Sequence, residues 1–362
     1  MFETIRAVGE TFQIPEKLFS FDTINQGNIN STYKVTYQRE DGGFTSYLFQ
    51  RVNTVVFKDP VRIMKNIERV TEFIRENNPN QLSLHFYHTK SGEIYHVAED
   101  HCFWRVTNYV DSITFDSTDD LAVIESTGEA FGKFQMQLAD FDGSVLYETI
   151  PDFHNTKKRL DRLFVDAEQD PCGRVAEVRE ELEYIQSVRD LAAELSIRFA
   201  KGEIPTRVTH NDTKANNVLF DRKTRRPLLV IDLDTIMPGM AMYDFGDAVR
   251  FIANTAEEDE RDLSCVYFDT AKFRAFCNGF IGKVKHSLTQ DEIDNLVLAS
   301  FSITVELAAR FLDDYIVGDT YFKCKYPGHN LVRARCQLKL AKDIMNKFDE
   351  LNWIVRDVVK HS

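Results

Sequence analysis

Positive charge is in short supply. Lys and Arg number 44 against 57 Asp and Glu, which leaves a formal net charge of −13. Nucleic-acid phosphates and anionic lipid both need a cationic face, so neither nucleic acid nor a membrane surface is expected as a general partner. A small anionic ligand held in one local pocket stays open. Cysteine is sparse as well: Cys102, Cys172, Cys265, Cys277, Cys324 and Cys336 contain no C-x-x-C pair and no zinc-module spacing. They read as reduced thiols of a cytoplasmic protein. No apolar run reaches membrane-spanning length. The best of them, Leu296 to Val305, is about half of what a span needs, contains Ser and Thr, and reads as a buried helix. Met1 to Arg6 shows no basic region leading into an apolar run, so no secretory signal is read. Only nine His are scattered along the chain, too few for the His-rich site of a two-metal phosphohydrolase. Internal repeats and low-complexity tracts are also missing.

What is present is globular in character: 43% hydrophobic and 28% charged residues over 362 positions, enough for two domains or one large one. The 28 Phe imply an aromatic-rich core. The first ~110 residues carry strand patterns at Phe19–Ile24, Ser31–Tyr37 and Thr45–Val52, the last two joined by the turn Glu40-Asp41-Gly42-Gly43. A helix follows, with Asp59 as N-cap, Pro60 at its first position, and an apolar stripe Ile63, Ile67, Val70, Ile74. Further strands are expected at Leu84–His88, Ile94–Val97 and Phe103–Val110. From Ser117 the periodicity turns helical, through 121–138, 178–195, 269–285, 291–316 and 329–348. The fold class is therefore α+β. A small β-rich lobe over 1–110 precedes a larger helical lobe over 111–362, with the joint near Tyr109-Val110-Asp111.

The densest polar signal is Thr209-His210-Asn211-Asp212-Thr213-Lys214-Ala215-Asn216-Asn217, a His-x-Asp followed five residues later by Asn. A short strand pattern runs to Phe220. A turn follows, then the buried-strand pattern Leu228-Leu229-Val230-Ile231, which ends in Asp232-Leu233-Asp234, with Asp232 20 residues after Asp212. A polar turn would explain any one of these residues. The loop, the strand and the terminal carboxylate together are much rarer. They form the constellation of phosphoryl transfer from ATP: one carboxylate takes the proton of the attacking hydroxyl, and an Asn with a second Asp holds Mg²⁺. The spacing is similar to the catalytic loop of protein kinases. A literal D-F-G at Asp244-Phe245-Gly246 competes for the metal role. No apolar strand precedes it and it reads into a helix, so Asp232 is the better metal ligand and Asp244 is expected to organise the loop.

These residues, with Tyr243-Asp244, resemble the aminoglycoside phosphotransferase and choline kinase family, small-molecule kinases with a two-lobed protein-kinase-like fold. Within it the chain is similar to the N-acetylhexosamine 1-kinases, in Thr209–Lys214, in Ile231-Asp232-Leu233-Asp234-Thr235 with Met237-Pro238-Gly239, in Tyr47–Asn53 and in Arg310-Phe311-Leu312-Asp313-Asp314-Tyr315. The resemblance implies Asp212 as catalytic base toward an anomeric hydroxyl and Asn217 and Asp232 as Mg²⁺ ligands. It also implies ATP as donor and a sugar 1-phosphate with ADP as products. Gly27, Asn28 and Ser31 stand where a loop covering the phosphates is expected, although an ordinary hairpin turn fits them equally. Gln50 and Arg51 alternate on the third strand, so one of them faces the phosphates. Glu68 on the next helix would orient that cation, with a solvated helix face as the alternative, and the adenine would rest by Tyr109 and Val110. Asp234, Thr235, Arg310 and Tyr321 are the sugar-contact candidates, with a structural ion pair as the alternative for Arg310. Phe153-His154-Asn155 is a further polar cluster, and its His reads as structural. A kinase for another hydroxyl substrate (choline, homoserine or aminoglycoside type) is the alternative function. A non-catalytic binding protein with this fold is disfavoured by the intact Asp212, Asn217 and Asp232.

Overall fold

The computed structural model describes residues 1–14, 17–24 and 29–362. The chain forms two compact units, one of Met1–Ile113 with Ile231–Ile236, the other of Thr114–Val230 with Met237–Ser362.

The first unit is built on an antiparallel five-stranded sheet of order β1-β2-β3-β5-β4. Its strands are β1 (Lys17–Ile24), β2 (Ser31–Gln38), β3 (Phe44–Val52), β4 (His96–Val97) and β5 (Phe103–Asn108). Strand alternation sorts the side chains onto two faces. Tyr33, Val35 and Tyr37 of β2, Tyr47 and Phe49 of β3, and Trp104 and Val106 of β5 pack with Ile5, Val8 and Phe12 into one core. Ile5 and Val8 belong to a helix, α1 (Phe2–Thr11), which the strand-centred reading of this region did not anticipate. The other face carries Thr32, Gln50 and Arg105 in one cross-strand row, and Lys34, Leu48 and Thr107 in the next. Helix α2 (Pro60–Asn77) starts as expected: the Asp59 side chain accepts the Arg62 N–H, and Ile63, Ile67 and Val70 are buried.

The strand expected at Leu84–His88 does not form. Phe86 makes a single bridge to Thr107. The Asn108 side chain takes part of the pairing there, accepting the His85 N–H and donating to the Ser83 carbonyl. β5 likewise stops at Asn108, short of the expected Val110.

The second unit is mainly helical: α3 (Leu121–Gln137), α4 (Thr156–Gln169), α5 (Arg179–Ala200), α6 (Ala241–Ile252), α7 (Thr270–Val284), α8 (Gln290–Asp294), α9 (Leu296–Ile316), α10 (His329–Asn346) and α11 (Phe348–His361). Helix α9 is buried along nearly its whole length, as its continuous apolar run from Leu296 requires. Much of the Phe content is core: Phe245 meets Phe273, Phe276 and Phe280 at ring separations of 5.9, 5.6 and 5.2 Å. Helices α4 and α11 were not read from the sequence. Two short ribbons complete the unit: β6 (Arg207–Thr209) pairs with β9 (Met237–Gly239), and β7 (Val218–Phe220) with β8 (Pro227–Val230). β8 is half-buried rather than buried. Among the described residues, no helix is long and apolar enough to cross a membrane.

Candidate active site

In the second unit the segment from Thr209 to Asn217 is fixed from behind. Thr209 ends β6, and its hydroxyl donates to the Met237 carbonyl of β9 at 3.0 Å. His210 is fully buried, with the Phe131 and Phe134 rings of α3 edge-on to it. It packs behind the loop, away from solvent. Asn211 turns the chain through a left-handed backbone, φ 64°.

That turn is held by Asp244. One oxygen of this buried carboxylate accepts the Asn211 N–H at 2.9 Å; the other accepts the His210 N–H and the Gln135 amide, both at 2.8 Å. Burial pushes the Asp244 carboxyl above the usual carboxylate range, against the pull of His210 and these donors. The Thr213 hydroxyl donates to the Asp244 carbonyl, and the Thr213 N–H to Asp247. Asp247 is itself paired with Arg250 at 2.8 Å. Burial disfavours its charge, but Arg250, with His154 and Lys214 adding to it, more than offsets this and holds the carboxyl below its ordinary range. Asp244-Phe245-Gly246 thus lies inside α6, with all three residues buried.

The loop presents Asp212 partly exposed. Asn217 Nδ2 donates to the Asp212 carbonyl at 2.8 Å and to its Oδ2 at 3.1 Å. Lys214 Nζ lies 2.7 Å from Asp212 Oδ1. Burial disfavours the Lys214 charge, but Asp212, with Asp247 adding to it, outweighs this and the ammonium is pushed above its ordinary value. Lys214 is a participant to which sequence reasoning gave no role, although it sits inside the motif. With its amide nitrogen used on Asp212, Asn217 keeps its Oδ1 free of hydrogen bonds among the described residues, a hard oxygen of the kind Mg²⁺ takes.

In the first unit, Asp232 is exposed at φ 60° and opens a 3₁₀ turn over Leu233–Thr235. Asp234 does not stand open to a substrate, as the sequence reading had expected. It is 2% exposed and forms a bidentate ion pair with Arg105, and its Oδ2 also accepts from Asn30 at 2.7 Å. Thr235 follows, partly buried. Arg105 Nε donates to Gln50 Oε1 at 2.9 Å, and Gln50 reaches Thr32.

The choice between Gln50 and Arg51 is settled as to face: Gln50 shares the Arg105 face. Arg51 lies on the opposite face, exposed, with Cys102 Sγ as its neighbour at 3.9 Å. Ser31, which pairs with Arg51, shares that opposite face. Cations on the Gln50 face come from Arg105 and from Lys34, whose Nζ sits 4.5 Å over the Tyr109 ring. Neither was foreseen. Arg105 had a signal in the sequence, a lone charge within Phe103-Trp104-Arg105-Val106. Val110 follows Tyr109 just past β5, its carbonyl accepting the Ser112 hydroxyl. Glu68 does not orient a β3 cation; it bonds His88 Nε2 at 3.2 Å, and Glu72 lies close to both. Gly27 and Asn28 fall outside the described residues.

Among the sugar candidates, Arg310 makes no ion pair among the described residues. Its guanidinium lies over the Phe153 and Phe322 rings at 5.4 and 5.6 Å. Glu306, one turn earlier on α9, pairs with His154 instead. Tyr321 is 70% exposed, its ring against Phe322.

The chain as a whole has known counterparts. The profile of the phosphotransferase enzyme family matches residues 20–276. The chain belongs to that family. Its fold is shared by a microcompartment-associated aminopropanol kinase (14% identity, TM-score 0.61, covering 97% of this chain and 99% of that one). A choline kinase from Cryptosporidium parvum shares it too (12% identity, TM-score 0.55, 97% of each chain). So does an amicoumacin kinase solved in complex with AMP-PNP, Ca²⁺ and Ami (11% identity, TM-score 0.54, 95% and 93%). This phosphotransferase thus has the kinase-like fold of these enzymes, with the antiparallel sheet in its first unit and the helices in its second.

Proposed function

We propose that this phosphotransferase is an ATP- and Mg²⁺-dependent small-molecule kinase acting on the anomeric hydroxyl of an N-acetylhexosamine, with the sugar 1-phosphate and ADP as products. The observation that carries the reading is the Asp212–Asn217 pair at 3.1 Å, on a loop pinned by Asp244. Asp212 accepts the proton of the attacking hydroxyl. Asn217 Oδ1 and the Asp232 carboxylate hold Mg²⁺, whose charge offsets that developing on the phosphates. Gln50, Arg105 and Lys34 form the polar face of the sheet for the nucleotide, with Tyr109 and Val110 beside the adenine. Arg310 and Tyr321 contact the sugar. The nucleotide-analogue complex of the amicoumacin kinase supports a nucleotide and a divalent cation as ligands of this fold. The motif likeness around Tyr47–Asn53 and Arg310–Tyr315 supports the sugar.

A second acceptor class, the amino alcohols, is favoured by the aminopropanol and choline kinases among the fold neighbours. An ADP-release screen with Mg²⁺ over N-acetylglucosamine, N-acetylgalactosamine, choline, ethanolamine, homoserine and aminoglycosides separates the two. The expected result is turnover with an N-acetylhexosamine, lost by about a hundredfold or more in Asp212→Asn with nucleotide affinity retained. Turnover only with an amino alcohol moves the acceptor to that class. No ADP release with any of them overturns the kinase reading.

A further inference from the structure

The second unit contains a cleft of about 610 Å³, counting its solvent-open part, with Glu148, Phe153, His154, Phe199, Asn211 and Met240 in its walls. Asn211 directly precedes Asp212, about 3.8 Å away Cα to Cα, so the cleft borders the catalytic loop.

His154 is built into this wall in an unusual way. Its Nδ1 lies 2.9 Å from Glu306 Oε1. A carboxylate only accepts, so Nδ1 carries the proton, an assignment that follows from the hydrogen-bond network. Glu306 is buried and fully committed, its second oxygen accepting the Thr156 hydroxyl at 2.8 Å, and that hydroxyl in turn meets Tyr243 OH at 2.8 Å. The imidazole also packs on the Phe153 ring at 4.5 Å. A carboxylate that fixes one ring nitrogen presents the other in a defined direction. That other nitrogen, Nε2, is buried and has no hydrogen-bond partner among the described residues, in a side chain only 13% exposed. An unsatisfied buried polar atom is destabilising, and a ligand that supplies the missing bond removes that penalty.

In the neutral ring Nε2 is an acceptor, so the matching ligand group is a hydroxyl or N–H donor. The Glu148 carboxylate in the same wall is a second acceptor; one of its oxygens holds the Asp152 N–H at 2.9 Å. Phe153, Phe199 and Met240 offer apolar surface between these polar groups. Acceptors set among aromatic and aliphatic walls match a ring that carries hydroxyls on its rim and C–H groups on its faces.

We propose that this cleft seats the non-reacting part of the acceptor sugar, with His154 Nε2 accepting a hydrogen bond from a sugar hydroxyl and Glu306 acting as the positioning residue behind it. The proposal rests on the kinase reading above for which group reacts, and on the cleft alone for where the rest of the molecule lies.

The test is calorimetric titration of N-acetylglucosamine and N-acetylgalactosamine, with Mg²⁺ and AMP-PNP present, into wild type and two variants. His154→Asn keeps an N–H near the Glu306 carboxylate but deletes the position of Nε2. Ala200→Trp fills the cleft from the end of α5, where Ala200 is exposed and makes no side-chain hydrogen bond. The expected result is a sugar affinity weakened about tenfold or more in both, with AMP-PNP affinity and melting temperature little changed. In turnover, the KM for the sugar rises while kcat holds. Wild-type sugar affinity in both variants overturns the cleft and leaves the kinase reading standing, as does a change in nucleotide affinity equal to that for sugar. Failure of either sugar to bind wild type also overturns it. Sugar binding that depends on His154 without any ADP release overturns the kinase reading alone.

Discussion

Asp244 and Asn211 are joined by a hydrogen bond of 2.9 Å from the Asn211 backbone N–H to the Asp244 carboxylate, 33 residues apart in the chain. With the parallel bond to His210, it sets the left-handed turn from which Asp212 emerges. Removing the carboxylate strands two backbone donors in a buried setting. Asp244→Ala is therefore expected to lower stability by about 2–5 kcal/mol, read from the chemical-denaturation midpoint. Asp232→Ala is expected to cost less, about 1–2 kcal/mol for alanine in that left-handed backbone, and to raise the Mg²⁺ concentration needed for turnover. The reverse pattern makes the literal D-F-G the metal ligand.

The Arg105–Asp234 ion pair lies in the first unit with both side chains nearly excluded from solvent, at 3% and 2% exposure. Burying both charges is costly, so the pair adds little net stability, but breaking it leaves a lone buried carboxylate. Arg105→Met should destabilise by about 3–5 kcal/mol. Adding Asp234→Leu to that variant should recover most of the loss. A double variant no more stable than the single one shows that Asp234 does not need its partner.

The Thr209–Asn217 loop stood out because the residue types and spacing that phosphoryl transfer would need fall together in a segment of nine residues. The strands β1 to β3 and the helices α2, α3, α5, α7 and α9 were legible from their periodicity. What failed was whatever depends on a partner distant in sequence. Asp234 looks like a free polar residue beside Asp232, and only the register of β5 shows that Arg105 claims it. Helix α1 was missed because Ile5, Val8 and Phe12 supply a sparse apolar stripe, whose meaning appears only with the sheet face it covers. Leu84–His88 has strand composition, but Asn108 takes up part of its backbone pairing. His154 reads as an isolated polar residue until Glu306, 152 positions later, is seen behind it.

Asp313 supplies a pH test. Burial, with the neighbouring Asp166 carboxylate adding to it and Arg162 opposing, pushes its carboxyl up to about 7. The side chain is 17% exposed, with Arg162 Nε 3.4 Å from Asp313 Oδ2 and 3.1 Å from Asp166 Oδ2. The folded state therefore holds this proton more tightly than the unfolded chain, whose Asp titrates near 4. The stabilisation is complete below about pH 4 and is lost as pH rises through about 7, on the order of 4 kcal/mol at most. Asp313→Asn keeps the neutral form at every pH. Its melting temperature should vary less than that of wild type between pH 5 and 8, and should be the higher of the two at pH 8. Parallel curves for the two proteins remove Asp313 from the pH dependence.

The α3–α7 contact depends on glycine for closeness rather than flexibility. A Cβ on Gly279 of α7 would overlap the Glu125 carbonyl oxygen of α3, and one on Gly128 of α3 would overlap the Phe276 carbonyl oxygen of α7. Both obstacles are backbone, which cannot swing aside as a side chain can. Gly282, one turn along α7, has nothing within 4 Å of such a Cβ. Helix propensity alone favours alanine at each of the three sites by about 0.8–1.0 kcal/mol. Gly282→Ala should therefore hold or raise stability, while Gly279→Ala and Gly128→Ala should each cost about 3 kcal/mol or more, because the helices must move apart and uncover the Phe276 and Phe280 layer. Denaturation midpoints of the three variants decide the point. An α7 whose two alanine variants behave alike would mean that the helices are not in backbone contact at Gly279.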